Sequence, residues 1–597
     1  MRRTCRALAA TVVTLALCSL LEPARSAAAP VQIGDRIPNL TFKDIRYLSR
    51  SLNDFPKAKA FVIVFTDTSC PLVQRYLPVL AELERGYRAK DVQFLAVNIG
   101  SEDSITAMAA QALTLGIEFP FVKDFDGTTV KALGVRRLPE VVVLDGRRKL
   151  CYRGRIDDQF RLSGNRPEPT RRDLKEAVDA VLAGKDPEVT ETTVDGCAIT
   201  LPEPRQPEKG RTFAEHVAPI VQKHCQGCHR PGGSAPFALV THKDVAGKAN
   251  AIAEAIAEQR MPPWFANPEH GSFVNRRGLS DKERATFLGW LRSDKPAGDD
   301  SKLPPPRAFP EDKWLIGKPD LVVSMAQPHE LPAKGDIPYK YAIFPYLFTE
   351  ETWVQGVQIV PDNPRVLHHC NLAYLKLGES FNVANFITGN TPGGEPVMLE
   401  DGIAYRIPKG SIIGIQIHYV TTGKPEKCQI SVGFRFPKVP VQKRLKFAML
   451  ANHRFAIPPG APAHPVAASQ RLDEDALGVG MFVHMHLRGK DATFNAHRPD
   501  GKTETLLQIP NYQFNWQMPY RWQPGKQRLT KDTRLECVAH FDNSPFNPYN
   551  PDPAATVREG LQTYQEMMYG FVFYVSASEK LGLNVDPKTG RVKPKEE

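Results

Sequence analysis

The chain has 597 residues, a formal net charge of +11, 42% hydrophobic and 24% charged residues, and 52 prolines. That length is several times an ordinary domain, so about three to five domains are expected, and the composition is that of globular protein rather than of fibrous or disordered chain. The positive surplus is spread evenly, with no interleaved basic and aromatic patch, which argues against a nucleic-acid partner.

Residues 1–29 run from arginines through an apolar stretch to Ala27, Ala28 and Ala29, the pattern of a secretory signal. The apolar run is short for a membrane anchor, and no later segment is long and apolar enough to span a bilayer. Loss of that segment would leave a charge of about +8 and eight cysteines, Cys70, Cys151, Cys197, Cys225, Cys228, Cys370, Cys428 and Cys537. A periplasmic or secreted location follows, but the chain is not a disulfide-dense scaffold.

From residue 30 to 190 strands and helices alternate. FVIVF at 61–65 reads as a buried strand, and Val73, Leu77, Leu80 and Leu83 recur at helical spacing behind Cys70-Pro71. VQFLAVNI, a helical AMAAQALTLG and LPEVVVLDGRRKLCYRGRI follow, the last turning at Asp145-Gly146. Strand, cysteine and helix start, with a proline before a later strand, resemble the thioredoxin-like redoxins. The resemblance implies an α/β domain with Cys70 at a helix N-terminus and Pro139 as a cis-proline facing it. The family's C-x-x-C reads C-P-L-V here, so Val73 stands where a resolving cysteine is expected. The helix dipole favours a thiolate at Cys70, Cys151 on the hairpin is a candidate partner, and a docking role without thiol chemistry stays open. Residues 191–208 are polar and proline-containing and read as a linker.

Residues 209–300 contain Cys225-Gln226-Gly227-Cys228-His229, the C-x-x-C-H motif of covalent haem c attachment, with His229 reaching the iron. The helical KANAIAEAIAEQ then leads to RMPPW, where Met261 precedes two helix-stopping prolines. MPPW after C-x-x-C-H resembles a bacterial cytochrome c module, all-α, with Met261 as sixth ligand. Ser280 and Glu283 are spaced as a capping box for a last helix with Phe287, Trp290 and Leu291 on its apolar face.

The rest reads as short alternating runs broken by Gly, Pro and Asn, which is expected of two tandem antiparallel β-sandwiches, 315–450 and 451–580, before a polar tail at 581–597. His368-His369, His418, His484 and His486 occur in that order, followed by Met567 and Met568. Positions i and i+2 of a strand share a face, so His484 and His486 suit one metal. Imidazole with a thioether suits copper. The ordered set H-H, H-Y, H-x-H, E-M resembles the copper type II, ascorbate-dependent monooxygenases, the family of peptidylglycine α-hydroxylating and dopamine β-monooxygenases. The resemblance implies two copper ions, one on His368, His369 and His418 for electron entry, the other on His484, His486 and Met567 for oxygen activation. His540 and His497 are left over, with His540 a candidate for supporting contacts.

The family likeness further implies dioxygen as co-substrate, a small-molecule or peptide substrate with a C–H bond to hydroxylate, and a one-electron donor, either an ascorbate-like reductant or a redox protein. Phe482 and Phe571 replace the arginine and tyrosine that bind a carboxylate in peptidylglycine hydroxylases, which turns the expectation towards a less charged substrate. A non-catalytic electron-transfer or copper-handling protein is the rival reading, and a thiol peroxidase centred on Cys70 a third.

Overall fold

A computed structural model describes residues 31–162, 164–201, 210–309, 313–391 and 393–594. The signal segment and part of the linker lie outside the described residues.

The N-terminal unit is α/β. Its seven-stranded sheet has the order β2-β1-β5-β4-β3-β7-β8, formed by β1 (Thr41–Asp44), β2 (Ser49–Ser51), β3 (Ala60–Thr66), β4 (Val92–Asn98), β5 (Phe121–Lys123), β7 (Val141–Asp145) and β8 (Leu150–Gly154). β3, β4 and β5 run parallel, and β7 returns antiparallel to β3. The β-branched runs make this possible, because all seven residues of β3 are buried and a strand covered on both faces needs no polar alternation. Helices α1 (Pro71–Tyr87), α2 (Ile105–Thr114), α3 (Thr128–Leu133) and α4 (Asp173–Leu182) accompany the sheet. α1 opens with Cys70 as its N-cap residue and Pro71 at its first turn, where a missing N–H costs nothing. The Leu138–Pro139 peptide is cis, as expected from the resemblance.

The stretch read as a linker is partly tied down. Cys197–Ala198 forms a short strand, β9, that pairs antiparallel with β6 (Arg137–Leu138). Prolines and charges advertise a linker, but they do not forbid two residues from completing an edge.

Between residues 210 and 309 the described chain is helical. After a wide first turn at Phe213–Val217 come α5 (Ala218–His224), α6 (His242–Ala246), α7 (Ala249–Ala257) and α8 (Asp281–Leu291). The capping box at Ser280 and Glu283 is formed, and Phe287, Trp290 and Leu291 are buried with Phe213, Val217 and Val221.

The remaining chain builds two β-sandwiches. In the first, strands Lys340–Phe348, Ser411–Tyr419, Leu367–Lys376 and Phe386–Asn390 form one sheet. It packs on a second sheet containing Gly356–Pro361 and Ile430–Arg435, through a core that includes Phe344, Ile415, Ile359 and Phe434. In the second sandwich, Lys446–Ala451, Tyr569–Ser576 and Ala476–His484 face His464–Arg471, Arg534–Phe541, Gly489–His497 and Thr503–Ile509 across Met481, Met568, Phe494 and Cys537.

The units are joined by specific contacts. Arg46 pairs with Asp542 at 3.2 Å, and Phe55 stacks on Phe546 at 5.4 Å between ring centres. A cavity of about 510 Å³ lies at this junction and is lined by neither the candidate ligands nor Cys70. Among the described residues no helix is long and apolar enough to cross a membrane.

Candidate functional site

The histidines singled out in the two sandwiches meet. Nitrogens of His368, His369 and His418 all lie within 4.8 Å of one another. His369 pairs directly with His418 across adjacent strands, and the register shifts between Leu367 and His369, which makes His368 an extra residue in a bulge. Consecutive strand residues ordinarily point to opposite faces, and the bulge is what turns both imidazoles to one side. Nδ1 of His368 and Nδ1 of His369 are 3.0 Å apart, while Nε2 of His368 contacts Asn515 Oδ1 at 2.9 Å and Nε2 of His369 contacts the Tyr339 hydroxyl at 3.1 Å. His418 Nδ1 is buried without a hydrogen-bond partner.

His484 and His486 sit 5.1 Å apart, and His484 lies 5.9 Å from His369 across the boundary between sandwiches. His484 Nδ1 is held by Gln517 Oε1 at 2.6 Å, and His486 Nδ1 by the Gln565 carbonyl at 3.1 Å. His486 Nε2 is buried and unpartnered. Alternation sorts the methionines: Met568 enters the sandwich core beside Met481 and Val483, whereas Met567 lies on the opposite face with Tyr569, Phe571 and Phe482. His484, two residues after Phe482 at the end of its strand, shares Met567's side, and His486 follows just beyond the strand after the buried Met485.

Burial and the neighbouring imidazoles hold His369 and His486 well below the ordinary histidine range, and burial with His368 and His484 pulls His418 down to about 4. Neutral imidazole is the form that binds metal. The orphaned nitrogens of His418 and His486, and one nitrogen each of His368, His369, His484 and His486 fixed by Asn515, Tyr339, Gln517 and the Gln565 carbonyl, are what metal ligation requires. The residues present fit copper.

Segment 511–522 was not legible as part of the site. Phe514 lies 5.2 Å from His368, 5.8 Å from His369 and 6.2 Å from His486, and Asn515 and Gln517 orient a histidine each. Its far side meets the helical module: Tyr520 packs on Trp264 at 5.0 Å and Phe273 at 5.6 Å, and Asn275 bonds both the Pro519 carbonyl and the Arg521 N–H. Trp264 is the tryptophan of RMPPW.

In that module Cys225 and Cys228 follow α5, and the backbone N–H groups of Cys228 and His229 both bond the Cys225 carbonyl. His229 donates from Nδ1 to the Phe237 carbonyl at 3.1 Å, which leaves Nε2 for an iron. Burial and Cys228 push the Cys225 thiol up to about 12. Met261 is half-buried just beyond α7, at the start of the cis Met261–Pro262 peptide.

At the third candidate site Cys70 is 2% exposed, and its thiol points to the Leu138 carbonyl at 3.8 Å. Its backbone N–H bonds Asp67 Oδ1 at 2.6 Å. The Redoxin family model matches residues 32–163. The N-terminal unit is a redoxin domain. Curated relatives agree over this region: the thiol-disulfide oxidoreductase ResA of Geobacillus thermodenitrificans is 29% identical over 115 residues, 19% of this chain and 64% of its own length. ResA of Halalkalibacterium halodurans is 27% identical over 112 residues, 19% of this chain and 62% of its own length. The chain thus spans a little under two thirds of these relatives. Among solved structures, a hypothetical protein of Sinorhizobium meliloti is 28% identical, with 29% of this chain and 97% of that one covered and a TM-score of 0.27.

Within the redoxin domain, Cys151 does not approach Cys70: its thiol lies 3.4 Å from the Lys149 carbonyl on β8. The cysteine that the β6–β9 register sets beside Cys70 is Cys197, opposite Leu138. His540 and His497 stand away from the histidine cluster. His540 pairs with Asp491 at 2.6 Å and lines the cavity beneath the redoxin domain, and His497 pairs with Glu536 at 2.9 Å.

Proposed function

We propose that the protein is an exported monooxygenase dependent on two copper ions and haem c, which hydroxylates a C–H bond with dioxygen and draws electrons through the haem. The observation that carries this reading is the convergence of five histidines from two sandwiches, His368, His369, His418, His484 and His486, with buried nitrogens left unpartnered at His418 and His486. His368, His369 and His418 would hold one ion through their inward Nδ1 atoms, and His484, His486 and Met567 the other. Bound there, copper supplies one-electron redox chemistry and dioxygen activation.

The chain's own residues do the positioning. Gln517 and the Gln565 carbonyl fix the rings of His484 and His486 so that their Nε2 atoms are offered together. Glu566 accepts the backbone N–H groups of His486 and Arg488, and thereby ties the turn after the H-x-H strand to the segment carrying Met567. Phe514 packs against the rings of His368, His369 and His486. On Met567's side, Phe571 lies against Phe386 of the first sandwich at 5.5 Å and Phe482 at 6.2 Å, an aromatic wall without charge. An apolar or weakly polar substrate suits it better than a carboxylate. Haem c on Cys225, Cys228 and His229, with Met261 as sixth ligand, would supply single electrons from a donor protein or small reductant.

The test is metal content and oxygen uptake. Full-length protein matured with haem and copper should hold two copper ions and one haem per chain, and should consume oxygen when reduced. Haem without copper, or oxygen uptake unaffected by Met567→Ala, would overturn the reading. The second reading, a periplasmic electron-transfer or copper-handling protein, is favoured by the redoxin domain and is marked by copper binding without substrate-coupled oxygen uptake.

A further inference from the structure

The redoxin domain lacks its expected second cysteine at Val73, yet a second cysteine is present in space. β9 lays Cys197 directly opposite Leu138, the residue whose carbonyl receives the Cys70 thiol. That register sets Cys197 at the position next to the Cys70 thiol. We propose that Cys70 and Cys197 form a redox pair that cycles between dithiol and disulfide, with Cys197 delivered by a strap from beyond the α/β fold in place of the missing C-x-x-C partner.

Several contacts build the strap for this position. The Arg137 guanidinium donates to the Gly196 carbonyl at 2.7 Å, and the Ile199 N–H donates to the Arg136 carbonyl at 3.2 Å. Glu140 accepts the backbone N–H groups of Arg136 and Arg137 at 2.9 and 3.1 Å, which stiffens the edge that the strap joins. Gly196 is required by proximity, since a Cβ there would lie 2.1 Å from the Leu138 carbonyl oxygen. A cavity of about 190 Å³ lies along the strap, lined by Pro139, Tyr76, Phe160 and Arg161 and by Val194 and Asp195, though by neither cysteine. Of the two cysteines Cys197 is the more exposed, so displacement of the strap is what opens Cys70 to a reactant.

The reactant is a disulfide, RS–SR′. Cys70, at the positive end of α1, attacks one sulfur as the thiolate, its proton passing through solvent to the released R′S⁻, and forms Cys70–S–S–R. The Cys197 sulfur then attacks Cys70 and expels RS⁻, and the Cys197 proton passes to a departing thiolate. The protein loses two electrons, the reactant gains them as two thiols, and an external dithiol reverses the sequence. Burial and the neighbouring Cys70 push the Cys197 thiol up, in keeping with Cys70 at the helix N-terminus as the sulfur that attacks first. This chemistry needs neither copper nor haem.

The full-length holoprotein is equilibrated in glutathione buffers of graded ratio, quenched with acid, alkylated and digested for mass spectrometry. A peptide pair linked through Cys70 and Cys197 is expected in oxidising buffer. Cys197→Ser should abolish it and raise the glutathione adduct on Cys70 by about tenfold, because an adjacent thiol resolves such an adduct far faster than a free one. Gly196→Val, which lifts the strap without touching either sulfur, should raise the same adduct, and Cys151→Ser should change nothing. A Cys70–Cys151 link, or a Cys70 adduct that is equally abundant in the wild type and Cys197→Ser, would overturn the proposal. Thermal melts followed by circular dichroism report that each variant has folded.

Discussion

The two sandwiches present their histidines by different means. In the second, His484 ends a strand and His486 lies two residues beyond it, its backbone held by Glu566 and its ring by the Gln565 carbonyl. In the first, His368 and His369 are consecutive and reach one side only because the ladder gains a residue there. One cluster thus forms where a strand runs out into a turn pinned by a second segment, and the other at an inserted residue within a ladder. The first should be the more sensitive to changes of chain length, the second to changes of side chain.

The largest expected effect comes from the second cluster. His486→Ala removes an unpartnered nitrogen and should lower oxygen uptake by roughly a hundredfold or more, with one copper per chain lost and the other retained. Next comes deletion of His368, which should restore the regular ladder. Copper at the first cluster should fall by about one equivalent by resonance spectroscopy while the His484 site keeps its ion; retention of both would break the contrast between bulge and strand end. Smaller effects belong to the residues behind the ligands: Gln517→Leu and Asn515→Leu should each weaken copper at its own cluster by about 10–100-fold in competition titrations.

The smallest effect lies outside both clusters and serves as their control. Burial would raise the Glu283 carboxyl, but hydrogen bonds from Ser280, His224 and Lys223 outweigh it and hold it down at about 2. Its stabilising contribution is therefore fully present above the ordinary 4.5 and lost as the pH falls towards 2. Glu283→Gln should cost the helical module about 1 kcal/mol or less at neutral pH, a difference that closes between pH 4.5 and 2 in thermal melts followed at the haem band, with copper content unchanged.

Local pattern made most of the fold legible. The run FVIVF became β3, the period behind Cys70 became α1, and the Ser280 capping box formed where its spacing put it. The ligand candidates were legible for the same reason, since each is short and self-contained in sequence. What escaped depends on distant pairings. Cys197 meets Cys70 only because two residues of an apparent linker complete an edge, and Cys151, nearer in sequence, faces elsewhere. The bulge at His368 is a property of the ladder between two strands, and Phe514, Asn515 and Gln517 acquire their role only when both sandwiches close on them.

Segment 511–522 has a last consequence. Its residues are the common wall of two rooms, with Trp264 and Phe273 on one side and the histidines on the other. Severing the helical module would strip the support from Tyr520 and, through Gln517, slacken His484. The three parts of the chain are consequently poor candidates for exchange as separable cassettes, and a change on either side of that wall is inherited by the other.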